Sequence, residues 1–293
     1  MAITASMVKE LRERTGAGMM ECKKALVETN GDMESAIEFL RKSGLAQADK
    51  KSARIAAEGK IVLAANDDQT QVVMVEVNCE TDFVAKDDNF NDFASIVASN
   101  ALTMDGTEVS ELMETGVNDG TLEQARQVLV AKIGENIQIR RIVRTSTDGL
   151  LGSYIHGGRI GVTVDLSGGD LELARDLAMH IAALNPEFVS VDDVPANVLQ
   201  REKDFLVSQA AESGKPPEII EKMVEGRLRK HLSGITLLGQ PFVKDGDISV
   251  GDLLTQKNAS INGFDRLEVG EGIEKKVENF ADEVMSQIKK DVD

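Results

Sequence analysis

The chain has 293 residues, and its 33 basic and 50 acidic side chains give a formal net charge of −17. A surface this negative is repelled by phosphate groups, so we expect no direct contact with nucleic acid and none with an anionic membrane surface. Aromatic residues are only 3% of the chain and Trp is absent, which disfavours a surface that stacks on nucleic-acid bases.

The two cysteines, Cys22 and Cys79, form neither a CxxC pair nor a disulfide framework, which is typical of a reducing compartment. The first residues lack the basic and apolar regions of a signal peptide, and no run of 18 apolar residues occurs. These patterns predict a cytoplasmic protein that does not span a membrane.

Residues 4–44 carry apolar side chains at helical spacing in three short runs. Breaks fall at residues 16–18 and at 30–32, where a glycine can end one helix and Asp32 can cap the next. The pattern predicts an N-terminal three-helix bundle. The three runs are marked by Met7, Val8 and Leu11, by Met19, Met20, Ala25 and Leu26, and by Met33, Ala36, Ile37 and Leu40.

From Gly59 onward the apolar residues alternate, and a plan of hairpin followed by helix occurs twice. The first copy has a hairpin at 60–78 and a helix near 90–97, and the second has a hairpin at 150–166 and a helix near 174–181. Strand-like runs at 136–143 and 264–269 close the two copies. We therefore expect an α+β fold with two related core subdomains, the first with a longer connection between strand and helix.

Residues 197–232 show two charged amphipathic helices around a Gly-Pro turn, which predicts an antiparallel helical hairpin inserted into the second copy. A last amphipathic pattern predicts a C-terminal helix. The predicted units are the bundle and linker at 1–54, core subdomain N at 55–145, core subdomain C at 146–272 with the hairpin at 197–232, and the C-terminal helix at 273–293.

Motifs for chemistry are largely missing from the sequence. No glycine-rich loop opens a helix in the way that a nucleotide-binding loop requires, and the three histidines have no second ligand at metal spacing. We therefore predict no cofactor, no metal site and no enzymatic activity. His156 differs from the other histidines because it lies at a hairpin tip beside two glycines, where it can serve as a contact residue.

The connection that follows the first hairpin contains Thr81, Asp82, Phe83 and Val84. Phe83 can fold back as a lid over the hairpin, which is the commoner fate of a phenylalanine in a loop, and composition alone favours that interpretation. Alternatively it protrudes beside the Asp82 carboxylate and enters a crevice of a partner protein.

Several long motifs closely resemble the bacterial elongation factor Ts family. They are VKELRERTGAGMMECKKAL at 8–26, EVNCETDFVA at 76–85, VAKIGENI at 130–137, MHIAA at 179–183 and GQPFV at 239–243. The resemblance implies an N-terminal ubiquitin-associated-like bundle, two core subdomains, a helical hairpin and a C-terminal helix. It also implies a guanine-nucleotide exchange factor of protein synthesis that binds elongation factor Tu, both GDP-bound and nucleotide-free, and makes or breaks no bond.

By the same resemblance, Asp82 and Phe83 within Thr81–Val84 form a wedge that enters the GTPase domain of the partner and displaces its magnesium ion. The other contact residues that the resemblance implies are Lys9, Arg12, Met19, Met20, Ile133, Gly134 and His156.

Other classes of function remain open at this point. A protein-binding scaffold would share every feature except the need for the extended loop. An enzyme could use two carboxylates of residues 61–125, which hold 14 acidic side chains and one basic one, although acids at this density favour a solvated face. The helical hairpin could brace the partner or mediate self-association through core subdomain C.

Overall fold

The computed structural model describes residues 3–117, 120–211 and 216–274. Their helices are α1 (Ala5–Thr15), α2 (Met19–Glu28), α3 (Met33–Lys51), α4 (Asp88–Thr103), α5 (Val109–Met113), α6 (Leu122–Ile133), α7 (Leu171–Leu184), α8 (Ala196–Ala211), α9 (Pro217–Ile235) and α10 (Val250–Gln256). Their strands are β1 (Glu58–Ala65), β2 (Gln71–Cys79), β3 (Gly116–Val117), β4 (Gly120–Thr121), β5 (Gln138–Ser146), β6 (Leu150–His156), β7 (Ile160–Ser167), β8 (Pro241–Phe242), β9 (Asp245–Ser249) and β10 (Ser260–Glu268). The predicted α+β class is confirmed.

Helices α1 to α3 form the N-terminal bundle around a small apolar core. Gly16 ends α1 in the left-handed conformation with a φ of 68°, and the Asp32 carboxylate accepts a hydrogen bond from the Ser35 N–H at the start of α3. The core contains Leu11, Cys22, Ala25, Leu26 and Ala36, all 0% exposed. The polar segment 47–54 could be a linker or an extension of the third helix, and α3 does run on to Lys51.

The first sheet has the order β1-β2-β5, with antiparallel neighbours. Strand β2 is the middle strand, and its alternating side chains are buried on both faces. Val73, Val75 and Val77 pack with α4 and α6 in one core, whereas Met74 points to the opposite face. This two-sided burial explains why residues 72–77 read as an almost continuous apolar run.

The second sheet has the order β10-β7-β6 and repeats this plan. In β7, Val162, Val164 and Leu166 pack against α7 and α10, whereas Thr163 lies on the other face. The connection from β7 to α7, residues 168–170, is shorter than the connection from β2 to α4, residues 80–87. The longer connection of the first copy is thus present, as predicted.

The free faces of the two sheets pack on each other. Ile61 and Met74 of the first sheet meet Leu267 of the second, with Val269 just beyond β10, in a small buried cluster. The two sheets also meet through a hydrogen bond of 2.9 Å between the hydroxyl groups of Thr145 in β5 and Thr163 in β7. The core therefore has four layers, with helices outside and the two sheets inside.

Helices α8 and α9 form an antiparallel hairpin held together by Leu206, Ala210 and Val224. The predicted C-terminal helix at 273–293 lies outside the described residues except for Ile273 and Glu274. The division of the chain at residues 54, 145 and 272 remains a prediction. Helices α5, α6 and α10 were not predicted from the sequence.

Candidate protein-interaction site

Phe83 projects from the connection between β2 and α4. Residues Val84–Lys86 form one turn of 3-10 helix, in which Ala85 is buried and Val84 packs against the core beneath. Phe83 begins this turn and is 79% exposed. Folding back over the hairpin, the interpretation that composition favoured, is therefore wrong, because the turn places Val84 and Ala85 rather than Phe83 on the core.

Thr81 anchors the connection through all of its polar groups. Its N–H and hydroxyl both donate to the Glu135 carboxylate, at 3.0 and 2.7 Å, and its carbonyl accepts from the Cys79 thiol at 3.1 Å. The hydroxyl oxygen also accepts from the Val84 N–H at 3.3 Å. Within the predicted site, Thr81 is an internal anchor, and Asp82 and Phe83 form the exposed tip.

Asp82 keeps its negative charge beside Phe83. The Lys86 ammonium donates to its carboxylate at 2.8 Å, and this hydrogen bond lowers the pKa of Asp82 below its ordinary value. Arg159 contributes to the same pKa shift from the β6–β7 hairpin. Because the ion pair with Lys86 is exposed, it can open at little cost when another cation or donor competes for Asp82.

Two glutamates join the start of this connection to the segment after α6. The Glu135 carboxylate accepts from the backbone N–H groups of Glu80 and Thr81, both at 3.0 Å, and the Glu80 carboxylate accepts from the Asn136 N–H at 2.6 Å. Sequence reasoning missed both glutamates. No local pattern could have paired them, because they are 55 residues apart and meet only through the pairing of β2 with β5.

Ile133 and Gly134, two predicted contact residues, lie directly before Glu135. Ile133 is partly buried against the first core, and Gly134 ends α6 with a φ of 90°. The left-handed conformation favours glycine and turns the chain sharply toward Glu135. These two residues therefore shape the segment that holds the tip.

Lys9, Arg12, Met19 and Met20 line one cleft of about 440 Å³ on the N-terminal bundle. Met19 and Met20 belong to the apolar run of the second helix, but at 59% and 75% exposure they do not lie on its buried face. Cys22, Ala25 and Leu26 form that face instead. Two exposed, flexible thioether side chains beside two cations are well suited to contact another protein.

Lys132 of α6 lies between the N-terminal bundle and the first turn of α4. Gly16 lies against the Lys132 side chain, since a Cβ atom placed on Gly16 would be 3.7 Å from Lys132 Nζ. Lys132 in turn donates to the Asn89 side chain at 2.6 Å. The loop that leads into Met19 is therefore close to the start of α4, directly after the Phe83 connection.

His156 lies at the exposed tip of the β6–β7 hairpin, where Gly157 and Gly158 adopt positive φ angles of 58° and 74°. Its Nδ1 atom is hydrogen bonded to the Tyr154 hydroxyl at 3.1 Å, which fixes the ring. The position at the hairpin tip agrees with the sequence analysis, and the contact role of His156 stays a prediction.

The same hairpin tip packs against the first sheet near α4. The Gly158 carbonyl accepts from the Ile61 N–H at 2.8 Å, and a Cβ atom on Gly158 would lie 3.3 Å from the Lys60 side chain. Lys60 donates to the Asn91 side chain at 2.5 Å. The bundle loop and the hairpin tip thus approach the first turn of α4, next to the Asp82–Phe83 tip.

The thiol of Cys79 lies beneath the tip and is 0% exposed. Burial raises the pKa of this thiol to about 12, and the nearby Glu135 carboxylate adds to the effect. The thiol therefore stays protonated and donates to the Thr81 carbonyl. Cys22 is buried in the bundle core, and burial raises its pKa as well.

Among residues 3–117, 120–211 and 216–274, no group of three or more His, Cys, Asp or Glu side chains is placed to hold a metal ion. None of the described helices has the length and apolar character needed to cross a bilayer.

Comparison with known proteins gives one consistent result. The family model described as elongation factor TS matches residues 80–271. The protein named elongation factor Ts of Thioalkalivibrio sulfidiphilus is 61% identical over 99% of both chains, and that of Halorhodospira halophila is 58% identical over 99% of both. The elongation factor Ts of Alkalilimnicola ehrlichii is 59% identical over 98% of this chain and 99% of its own length. On a match of this extent, which includes the bundle as well as both sheets, the chain belongs to the elongation factor Ts family of translation elongation factors.

Proposed function

We propose that this chain is the guanine-nucleotide exchange factor of elongation factor Tu and acts in the cytoplasm. The observation that carries the proposal is the Asp82–Phe83 tip, an exposed aromatic ring beside a charged carboxylate on an anchored connection. An exposed aromatic side chain on a rigid support is the kind of residue that dominates binding energy when a partner offers a pocket. Membership of the family supplies the identity of the partner.

Exchange follows from thermodynamic linkage and needs no bond chemistry. A factor that binds nucleotide-free partner more tightly than GDP-bound partner weakens GDP binding by the same ratio. A ratio of about a thousandfold corresponds to about 4 kcal/mol of differential binding. The chain therefore promotes GDP release to the extent that its contacts favour the nucleotide-free state.

The tip and the bundle have different tasks in this proposal. Phe83 enters an apolar crevice of the GTPase domain, and the Asp82 carboxylate competes for the cation and the backbone N–H groups that hold the GDP phosphates. Lys9, Arg12, Met19 and Met20 dock the bundle, and Ile133, Gly134 and His156 complete the contact around the start of α4. Displacement of the magnesium ion of the partner is the step that loosens GDP.

The helical hairpin is a second candidate contact surface, since Phe205, Val207 and Ile219 are exposed on it. It either braces elongation factor Tu or binds a second copy of this chain. Direct contact with nucleic acid is disfavoured by the net charge of −17.

The test is release of a fluorescent GDP analogue from purified elongation factor Tu, chased with excess GDP, at a substoichiometric amount of this chain. We expect complete and accelerated release, which requires turnover. Phe83→Ala should slow the accelerated release by about 30-fold, equivalent to about 2 kcal/mol. Leu171→Ala is the control, because Leu171 is also an exposed apolar residue, 53% exposed at the start of α7 in the second copy.

If the folded chain binds elongation factor Tu but does not accelerate release, the exchange proposal is wrong and the chain is a scaffold for its partner. If release is accelerated equally by the wild-type chain and Phe83→Ala, exchange stands but the wedge does not. In the second comparison, Leu171→Ala should release GDP as fast as the wild-type chain.

A further inference from the structure

We propose that Glu135 is a positioning residue, which holds the Asp82–Phe83 tip in the orientation that acts on the partner. This inference rests on the proposed function for its consequence but not for its geometry. It assigns a role to a carboxylate that lies outside the tip. In the chain this residue directly follows the proposed contact residues Ile133 and Gly134.

The Glu135 carboxylate supplies most of the polar support at the base of the tip. One oxygen accepts the N–H groups of Glu80 and Thr81, and the other accepts the Thr81 hydroxyl. Hydrogen bonds to a charged acceptor are about twice as strong as those between neutral groups. Residue 81 is thereby fixed directly before the two exposed residues.

Glu135 is itself held by rigid neighbours. Gly134 fixes the direction of the chain before it, and Asn136 and Ile137 are both 0% exposed after it. The Asn136 side chain donates to the carbonyl of Arg54 at 2.7 Å, beyond the end of α3. The carboxylate is thus attached to α6, β5 and the segment that leaves the bundle, which makes it a fixed support for the tip.

Other contacts cannot replace this support. The Cys79 thiol is a weak donor to the Thr81 carbonyl. The 3-10 turn adds long bonds of 3.3 Å from the Val84 and Ala85 N–H groups to Thr81, which leave the N–H groups of Glu80 and Thr81 without a partner. The ion pair of Asp82 with Lys86 joins two exposed residues of the same connection. Without the Glu135 carboxylate, the N–H groups of Glu80 and Thr81 are hydrogen bonded to water instead, and the tip adopts several orientations.

Glu135→Gln is the sharpest variant, because the amide keeps the size of the side chain but replaces one acceptor oxygen with a donor. Glu123→Gln is the matched control. Glu123, at the other end of α6, also accepts three hydrogen bonds, two from Arg126 and one from Gln127, and none of these touches the tip.

The first readout needs no partner. Because the chain has no Trp, Phe83→Trp introduces a single indole at the tip, and its fluorescence anisotropy decay reports the local motion. We expect Glu135→Gln to increase the amplitude of the fast decay about twofold, while Glu123→Gln leaves it unchanged. An indole that stays equally immobile in both variants would overturn the inference.

The second readout is exchange on elongation factor Tu with Phe83 in place. Misplaced catalytic or contact groups lower the maximal rate more than the affinity, so Glu135→Gln should lower the saturating rate of GDP release about tenfold. The half-saturating concentration should change by less than about threefold, because the bundle still docks. Thr81→Val, which removes one of the three hydrogen bonds to Glu135 together with the long bond from the Val84 N–H, should give a smaller loss of the same kind. An unchanged saturating rate in Glu135→Gln would also overturn the inference.

The two readouts separate the possible failures. If the indole becomes mobile in Glu135→Gln while Phe83→Ala and the wild-type chain release GDP equally fast, positioning is right and the wedge function is wrong. If Glu135→Gln unfolds at a lower urea concentration than Glu123→Gln, the anisotropy decay of the indole is measured in Thr81→Val and compared with that of the parent chain. This variant loses only one hydroxyl group and preserves the packing.

Discussion

At the scale of single residues, Glu76 is the most buried charge among the described residues. It is 0% exposed and accepts from the Gly270 N–H at 2.8 Å, from Asn78 at 3.1 Å, and from the guanidinium groups of Arg140 and Arg141 at 3.2 and 2.5 Å. Within a largely apolar middle strand, this carboxylate joins β2, β5 and the segment after β10. A buried charge is tolerated only with such complete pairing.

Glu76→Gln should lower the free energy of unfolding by about 2 to 3 kcal/mol at neutral pH, because two guanidinium groups lose their buried partner. Urea denaturation measures this loss. Glu271→Gln is the control, since Glu271 pairs with Arg141 in an exposed position and should cost less than about 1 kcal/mol. Equal stability of the two variants would show that Glu76 contributes no more than a surface charge.

Glu76 also predicts that the free energy of unfolding depends on pH in the acid range. Burial raises the pKa of Glu76, but hydrogen bonds from Gly270, Arg141 and Asn78 outweigh burial and leave the pKa below the ordinary value of 4.5. The unfolded chain therefore binds this proton more readily. The contribution to stability is complete above pH 4.5 and is lost as the pH falls through the lowered pKa, so the difference between wild type and Glu76→Gln should shrink there.

At the scale of elements, α7 is attached to the β8 segment by His180. The ring is 0% exposed, its Nδ1 accepts from the Val243 N–H at 3.1 Å, and its Nε2 lies 2.9 Å from the Gln240 side-chain oxygen. With Nδ1 accepting, the neutral ring carries its proton on Nε2 and donates it to Gln240. Phe242 stacks on the same ring.

This arrangement predicts a pH dependence near neutrality. Burial lowers the pKa of His180 below 6.5, so the unfolded chain binds the proton first and stability falls as the pH drops below 6.5. His180→Leu should lower the free energy of unfolding by about 2 kcal/mol at pH 7.5, since it leaves the buried Gln240 side-chain oxygen and the Val243 N–H without their partner, and should remove this pH dependence. Urea titrations at several pH values test both points. His231→Gln, at a half-exposed position, should retain the dependence.

The elements themselves were largely predictable, because alternation and helical spacing follow directly from which side chains face a core. Residues 60–78 and 150–166 form hairpins, and Phe90, Phe93, Ala94 and Val97 form the buried face of α4. Helix α6 was missed although its capping box was visible, with Thr121 and Gln124 at the required spacing. The start of α6 is therefore predictable from local sequence.

The site was predictable only in part. Phe83 could be proposed as a contact residue from the family motif, but its exposure depends on Ala85 being buried beneath it. The support from Glu135 depends on the register of β2 with β5, which local patterns do not determine. Long-range polar contacts of this kind are the part of a fold that composition and periodicity leave undetermined.

At the scale of the whole molecule, the close approach of the two sheets depends on Gly161. A Cβ atom at this position would lie 2.5 Å from Ile61 Cγ2 and 3.1 Å from Met74 Sδ, both in the cluster between the sheets. Both neighbours are buried, Ile61 at 1% and Met74 at 0% exposure. Glycine is therefore required here for space, because any side chain would separate the sheets.

Gly161→Val should lower the free energy of unfolding by about 3 kcal/mol, the cost of overpacking a filled core. Gly263→Val is the matched control, since Gly263 lies in β10 of the same sheet with open space around it and should change stability by less than about 0.5 kcal/mol. Urea denaturation compares the two.

Because the β6–β7 hairpin tip reaches the first sheet through Gly158 and Ile61, a displaced β7 should also move His156 away from the Asp82–Phe83 tip. Gly161→Val should consequently slow GDP release in the exchange assay even where it is fully folded, and a folded variant with wild-type exchange would show that the two sheets act independently.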